Sequence, residues 1–334
     1  PISGSSQKND ITDVVDEHFG ALAGKCLTFL YFMAIYPILL MYSVAITNTT
    51  ESFITNQIGV NAPPRALLAL TLILGLMAIV RFGQQMIIKS MSVLVYPFVT
   101  TLILLSLYLI PHWNSAIFHQ SAAINQPHGH GFLMTLWLII PVMVFSFNHS
   151  PIISSFAVDQ KQRFGAQADK NSSRILKYSH LMMVGTVMFF VFSCVFSLSP
   201  QDLAMAKQQN ISILSYLANH FDTPLIAYVA PFIAFIAIAK SFFGHYLGAS
   251  EGLHGLLTKV LVNRRKTPSA KKLQRGIEAF MILTCWGVAT INPNILKMIE
   301  TLGGPIIAFI LFLLPMYAIA KVPALKKYAS PRSN

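Results

Sequence analysis

The sequence predicts an all-α integral membrane protein, and three observations carry that prediction. Hydrophobic residues make up 54% of the 334 and charged residues only 11%, with a mean hydropathy of +0.59, whereas a soluble domain carries about 25% charged residues. The apolar residues gather into eight runs, most of them close to the roughly 20 residues that cross a bilayer. Lysine and arginine concentrate in alternate connections between those runs, the pattern of a chain threaded back and forth through lipid.

Taken in order, the eight runs are 27–48, 65–81, 87–110, 132–158, 180–198, 225–248, 279–291 and 304–320. The second is only just long enough. The seventh is short, and spanning would require its flanks or a thinned bilayer. Eighteen basic residues follow the second, fourth, sixth and eighth runs, against only Arg65, Lys207 and Lys297 in the alternate connections. That asymmetry places segment 1–24 and the end of the chain in the cytoplasm. It also accounts for the basic stretch 263–275 and for the net charge of +12 without a nucleic-acid partner. Neither a 20–50-residue repeat nor a low-complexity tract is visible, so residues 1–334 read as one transmembrane domain in contact with the lipid bilayer. The polar opening, from Pro1 to Gly20, lacks both the apolar core of a signal peptide and the arginine bias of a transit peptide. It reads as the interior of a longer protein.

The fourth run cannot remain one regular helix. At its centre stands Phe145-Ser146-Phe147-Asn148-His149-Ser150-Pro151. Proline removes a backbone donor and clashes with the preceding turn, and polar side chains crowd the same two turns. Irregular backbone at membrane depth survives only where protein buries it or where it lines a cavity. Half-helix ends near the midplane are how secondary transporters hold small charged solutes. Ser146, Phe147, Asn148, His149 and Ser150 are therefore candidate substrate contacts.

In the sixth run, residues three and four apart share a face. Ala237, Lys240, Ser241, Gly244, His245 and Gly248 form a small or polar stripe, while Phe235, Ile238, Phe242 and Tyr246 take the other side. Such a stripe faces other helices or water rather than lipid. Lys240 is the one basic residue well inside a run. An ionisable group at membrane depth is a functional candidate because burying it uncompensated is costly, and an ammonium in low dielectric releases its proton more readily. Its alternative is an anchor whose long stem snorkels to the surface. His245 and His149 titrate near neutrality when unperturbed. In the first run Tyr36, Ser43 and Thr47 align beside Pro37, and Tyr36 is a candidate cavity residue.

Catalytic and metal motifs are missing from the sequence. Cys26, Cys194 and Cys285 lie in or beside apolar runs at no metal-like spacing. His128 and His130 alone make no site, no HExxH or P-loop is present, and Ser250 in Gly248-Ala249-Ser250-Glu251-Gly252 is not read as a nucleophile. No enzyme activity and no cofactor are expected.

Several stretches together resemble the hydroxy and aromatic amino acid permease family, in its serine/threonine branch. They are Asp13 to Gly20 (DVVDEHFG), Pro141 to Ala157 (PVMVFSFNHSPIISSFA), Gln209 to Phe221 (QNISILSYLANHF) and Lys240 to Gly248 (KSFFGHYLG). Thr301-Leu302-Gly303-Gly304-Pro305 and Pro315-Met316-Tyr317-Ala318-Ile319 extend the likeness over essentially the whole chain. The resemblance implies the leucine-transporter-like inverted-repeat fold of the amino acid–polyamine–organocation superfamily. The eight runs would then be the third to tenth of eleven spans, with half of the substrate site on a first helix outside this sequence.

It further implies uptake of L-serine, and of L-threonine second, across the bacterial inner membrane. The substrate is a small amino acid, contacted by the unwound segment Ser146 to Ser150 and approached by His245. Sodium-coupled relatives carry Ala-x-x-Thr-Ser on the helix corresponding to the sixth run, with hydroxyls that bind the ion. Here Ala237-Ile238-Ala239-Lys240-Ser241 substitutes lysine for that threonine. Lys240 and Ser241 are accordingly the expected ion-coupling residues, with the proton as coupling ion and sodium as the alternative.

Overall fold

A computed structural model describes residues 21–80, 84–120, 132–147, 150–221, 223–263 and 269–323, together with 326 and 329. All of the regular structure among them is helical. The first, fifth, sixth and seventh apolar runs lie essentially within longer helices, whereas the second and third nearly coincide with theirs. Helix α1 runs from Ala21 to Phe53 and passes through Pro37, and a π turn at Ile54–Ile58 leads to α2, Arg65–Val80. α3 spans Gln84–Leu109, and α4 is the short Ala116–Gln120. The fourth run is divided between α5, Phe132–Ser146, and α6, Ser150–Phe164. α7 covers Ala168–Ser197.

Two short helices, α8 at Pro200–Gln208 and α9 at Ile213–His220, precede the 40-residue α10, Pro224–Asn263, and then α11, Ala270–Ile291. The last run is interrupted. Helical pieces α12 (Ile295–Met298), α13 (Gly304–Ala308) and α14 (Leu314–Lys321) alternate with π turns at Ile299–Gly303 and Phe309–Leu313. Ile295–Thr301, just before that run, is bent by 41° from Pro305–Lys321.

Four of these helices are long and apolar enough to cross a membrane unbroken, and a fifth crossing is obtained if the bent final pair counts as one. The candidate spans are Gly24–Ile58, Val95–His112, Asp159–Ser197 and Pro224–Thr258. Among the other expected crossings, α2 has only 16 residues and the run 132–158 is split into two 15-residue helices.

Burial organises the bundle around two apolar cores. The larger joins α1 (Ile35, Ile38, Leu39), α2 (Ile73), the middle of α10 (Phe242, Tyr246), α11 (Met281, Cys285) and Ile307 of α13. The smaller joins α3 (Leu109), α7 (Cys194), α9 (Leu217) and the first turns of α10 (Ile226, Ala230, Ile233). α10 belongs to both. Its close approach to α1 depends on Gly252, where an added Cβ would lie 3.3 Å from Phe32 Cβ and Tyr31 Cδ1. The five residues Gly248 to Gly252 do spell G-x-S-x-G, but they sit inside this packed helix. A nucleophile elbow needs a sharp strand-to-helix turn instead.

The α8–α9 hairpin is closed by a polar cluster. Ser199 caps α8 in a reciprocal capping box with Asp202, and Tyr216 of α9 donates to Asp202 Oδ1 at 2.8 Å. Burial pushes the Asp202 carboxyl up. Hydrogen bonds from the Ser199 side chain, Tyr216 and the Ser199 amide, with His220 nearby, outweigh that effect and hold it below the usual carboxylate range. A carboxylate depressed in this way contributes stability that is present above its unfolded value, near 3.9, and is lost as pH falls through the folded one. Hydrogen exchange over residues 200–220 is expected to lose protection in acid on that schedule. Asp202→Asn removes the step and lowers protection at neutral pH by about fivefold, roughly 1 kcal/mol.

Candidate functional site

α5 ends at Ser146. Ser146 Oγ donates to Val142 O at 2.8 Å, and the Phe147 amide donates to Met143 O at 3.2 Å. Phe147 is in a turn, and helical structure resumes at Ser150. Asn148 and His149 lie outside the described residues, as does the side chain of Ser150. Three neighbours surround the interruption: α5 packs against the π turn Ile299–Gly303 and α13, α6 packs against α10, and Val144 and Phe145 rest on the larger core.

The side chain at the centre of this arrangement is Tyr42 of α1. Its ring lies 6.4 Å from Phe145, the last aromatic residue of α5 before the break, and 5.1 Å from His245 of α10. Its hydroxyl faces the Ser241 side chain. His245 Nδ1 is 2.8 Å from Ser241 O. The tautomer that donates there leaves Nε2 as an acceptor, suited to a hydroxyl or ammonium of a solute. Helices α1, α5 and α10 thus converge through one tyrosine.

Of the residues expected from sequence, Ser241 and His245 share this cluster, and Phe145 links it to Ser146. Tyr36 is elsewhere. It stacks between Phe32 at 4.8 Å and Phe280 of α11 at 5.5 Å, on a face of α1 turned toward α11. Lys240 is half-buried near the middle of α10 and makes no hydrogen bond or ion pair with any described residue.

The polar stripe of the sixth run was expected to face other helices or water rather than lipid, and His245 does meet Tyr42 of α1. In the structure the opposite, aromatic face is the more deeply buried, with Phe242 fully covered and Tyr246 2% exposed. Lys240, Ser241, Gly244 and His245 are only half-buried. Sequence reasoning missed Tyr42, although a signal existed. It lies at helical spacing from Ile35, Ile38, Leu39 and Ile46, all wholly buried, and brings a polar tip into the middle of that apolar stripe. Among the described residues no group of histidine, cysteine and carboxylate side chains is placed to hold a metal.

The whole chain aligns with curated proteins. It is 63% identical over 334 residues to the serine transporter SdaC of Escherichia coli strain K12, covering all of this chain and 78% of that protein. The same figures hold for SdaC of Escherichia coli O157:H7. Threonine/serine transporter TdcC of Edwardsiella tarda is 46% identical over 350 positions, which cover all of this chain and 79% of the relative. The chain belongs to the family of bacterial serine and threonine transporters. It is a multi-pass membrane protein and a transporter rather than an enzyme. No family model and no solved structure matches it. Within the serine and threonine transporter family, the meeting of α1, α10 and the α5–α6 interruption is the candidate solute site.

Proposed function

We propose that this protein carries L-serine, and L-threonine second, into the bacterial cell across the inner membrane by proton-coupled symport. The observation that carries the reading is the interruption of the fourth run beside Tyr42, Ser241 and His245, in a chain 63% identical along its whole length to a serine transporter. An amino acid zwitterion presents a carboxylate and an ammonium. Free amide donors at the start of a half-helix favour the first and free carbonyls at the end of one favour the second. The Ser146–Ser150 interruption offers both kinds of end within two turns.

In this reading the eight apolar runs are spans of a leucine-transporter-like inverted-repeat fold within a single transmembrane domain. Segment 1–24 and the end of the chain lie in the cytoplasm, as the basic loops require. Tyr36 stays at the margin of the substrate site, on the α11 side of α1. Lys240 stands where sodium-coupled carriers of this fold place a hydroxyl, and it carries the coupling proton, with Ser241 beside it. Uptake of radiolabelled serine into vesicles holding the full-length protein tests this reading. Accumulation should follow an imposed pH gradient and survive replacement of sodium by choline, and a strict sodium requirement would assign the alternative ion.

Selection of a hydroxyl side chain falls to Asn148 and His149. A site built to hydrogen-bond a hydroxyl strongly rejects analogues lacking it. Asn148→Leu is expected to weaken serine uptake about tenfold or more, the 1–3 kcal/mol of an unpaired polar group, with unchanged expression. Equal competition by serine and alanine in the unaltered protein would sink this assignment.

A further inference from the structure

The two apolar cores meet along α10, and at one end of the bundle they are joined by a set of polar contacts. There the end of α1, the start of α2, the turn between α8 and α9, and the residues after α11 converge. Asn48, only 5% exposed, donates from its side-chain amide to Asn210 O at 2.7 Å and to Asn292 Oδ1 at 3.2 Å. It accepts from Arg65 Nη2 at 2.6 Å. Arg65 also pairs with Glu51 and donates from Nε to Ala289 O, near the end of α11, at 2.8 Å. Asn210 donates to Asn292 Oδ1 and to Pro293 O, and accepts from the Ile295 amide, each at 3.0 Å. Both Asn210 and Asn292 adopt a left-handed backbone with φ of 56°, a conformation asparagine tolerates better than most residues.

A second set lies beside the first. Asn219 of α9 donates to Ser52 Oγ of α1 at 3.1 Å and accepts from Gln57 Nε2 at 2.8 Å. Contacts of this kind differ from the two cores in one respect. Separating apolar faces exposes surface at about 25 cal/mol per Å². A side-chain hydrogen bond exchanged for water costs only about 0.5–1.5 kcal/mol. Where two apolar bodies share a helix, a polar seam between them opens and recloses at less cost than either core.

We propose that the Asn48–Asn210–Asn292 cluster, completed by Arg65 and seconded by Ser52–Asn219, is a reversible latch. It holds the α8–α9 hairpin against the ends of α1 and α11, and its release is a required step of the transport cycle. Asn210 is a positioning residue in this scheme and touches no substrate. The inference rests on the transport reading, whose orientation puts the latch on the outer face.

Two measurements on the full-length protein test it. In Ser52→Cys/Asn219→Cys, whose two side chains are adjacent, oxidation should cut serine uptake at least tenfold and reduction should restore it, while each single cysteine variant keeps its uptake. Second, a membrane-impermeant maleimide added from outside should label Ser52→Cys at least fivefold faster when Asn210→Gly is also present. Glycine keeps the left-handed turn and deletes only the side-chain bonds. Undiminished uptake by the cross-linked protein, or labelling indifferent to Asn210→Gly, overturns the latch. If the unaltered protein takes up no serine, the transport reading fails and with it the latch as a step of transport, while the labelling comparison still decides whether Asn210 holds the seam closed.

Discussion

Lys240→Met is expected to abolish accumulation of serine driven by a pH gradient while leaving the protein inserted in the membrane. Each pH unit across the membrane is worth about 1.4 kcal/mol per proton, so one coupled proton supports roughly tenfold accumulation per unit. The variant should fall to a ratio near one, with downhill exchange of serine retained. The physical ground is the site. An ammonium half-buried in the middle of α10, with no ion pair or hydrogen bond among the described residues, is costly at membrane depth. In the proposed coupling role the charge there comes and goes with the proton. Lys240→Met removes the titrating group and keeps the length of the stem, so packing is largely preserved. Lys240→Thr restores the hydroxyl of sodium-coupled carriers and should not rescue proton-driven uptake. Normal gradient-driven accumulation by either variant would refute the role.

Tyr42→Ala is expected to lower serine uptake at least a hundredfold and to reduce thermal stability. Truncating a large aromatic residue in a packed interior costs about 3–5 kcal/mol, and here the ring is the common neighbour of Phe145 and His245. Tyr42→Phe separates the two contributions. It keeps the aromatic contacts, worth about 0.5–1.5 kcal/mol per pair, and deletes only the hydroxyl facing Ser241. Its melting temperature should match that of the unaltered protein, while uptake falls roughly threefold to tenfold, the worth of one hydrogen bond. Equal loss of stability in both variants would make Tyr42 a packing residue alone.

The difference between Tyr36 and Tyr42 shows what could be read beforehand. Helical spacing says which residues share a face of α1, and by spacing Tyr36 aligned with Ser43 and Thr47 as a candidate for the cavity. It does not say which neighbour each face meets. Tyr36 meets Phe280 of α11, whereas Tyr42 meets His245 and the end of α5. The same limit applied to α10. The polar stripe from Ala237 to Gly248 was visible as a stripe, yet the aromatic face carrying Phe242 and Tyr246 is the one sunk in the larger core. The interruption of the fourth run was legible because its causes are local: Pro151 and the polar side chains before it act on their own turns. The π turns at Ile299–Gly303 and Phe309–Leu313 were not anticipated, although Gly303-Gly304-Pro305 and Pro315 stand beside them.

By itself the sequence determined the membrane class, the alternation of basic loops, the interrupted helix and the lone lysine in an apolar run. Each of these follows from solvation and backbone chemistry within a few turns of one segment. Only the tertiary structure decided that Tyr42 joins three helices, and that Asn48, Arg65, Asn210 and Asn292 meet at one end of the bundle. Those residues stand as many as 244 positions apart, and their partners are chosen by how whole helices pack, which no local pattern encodes.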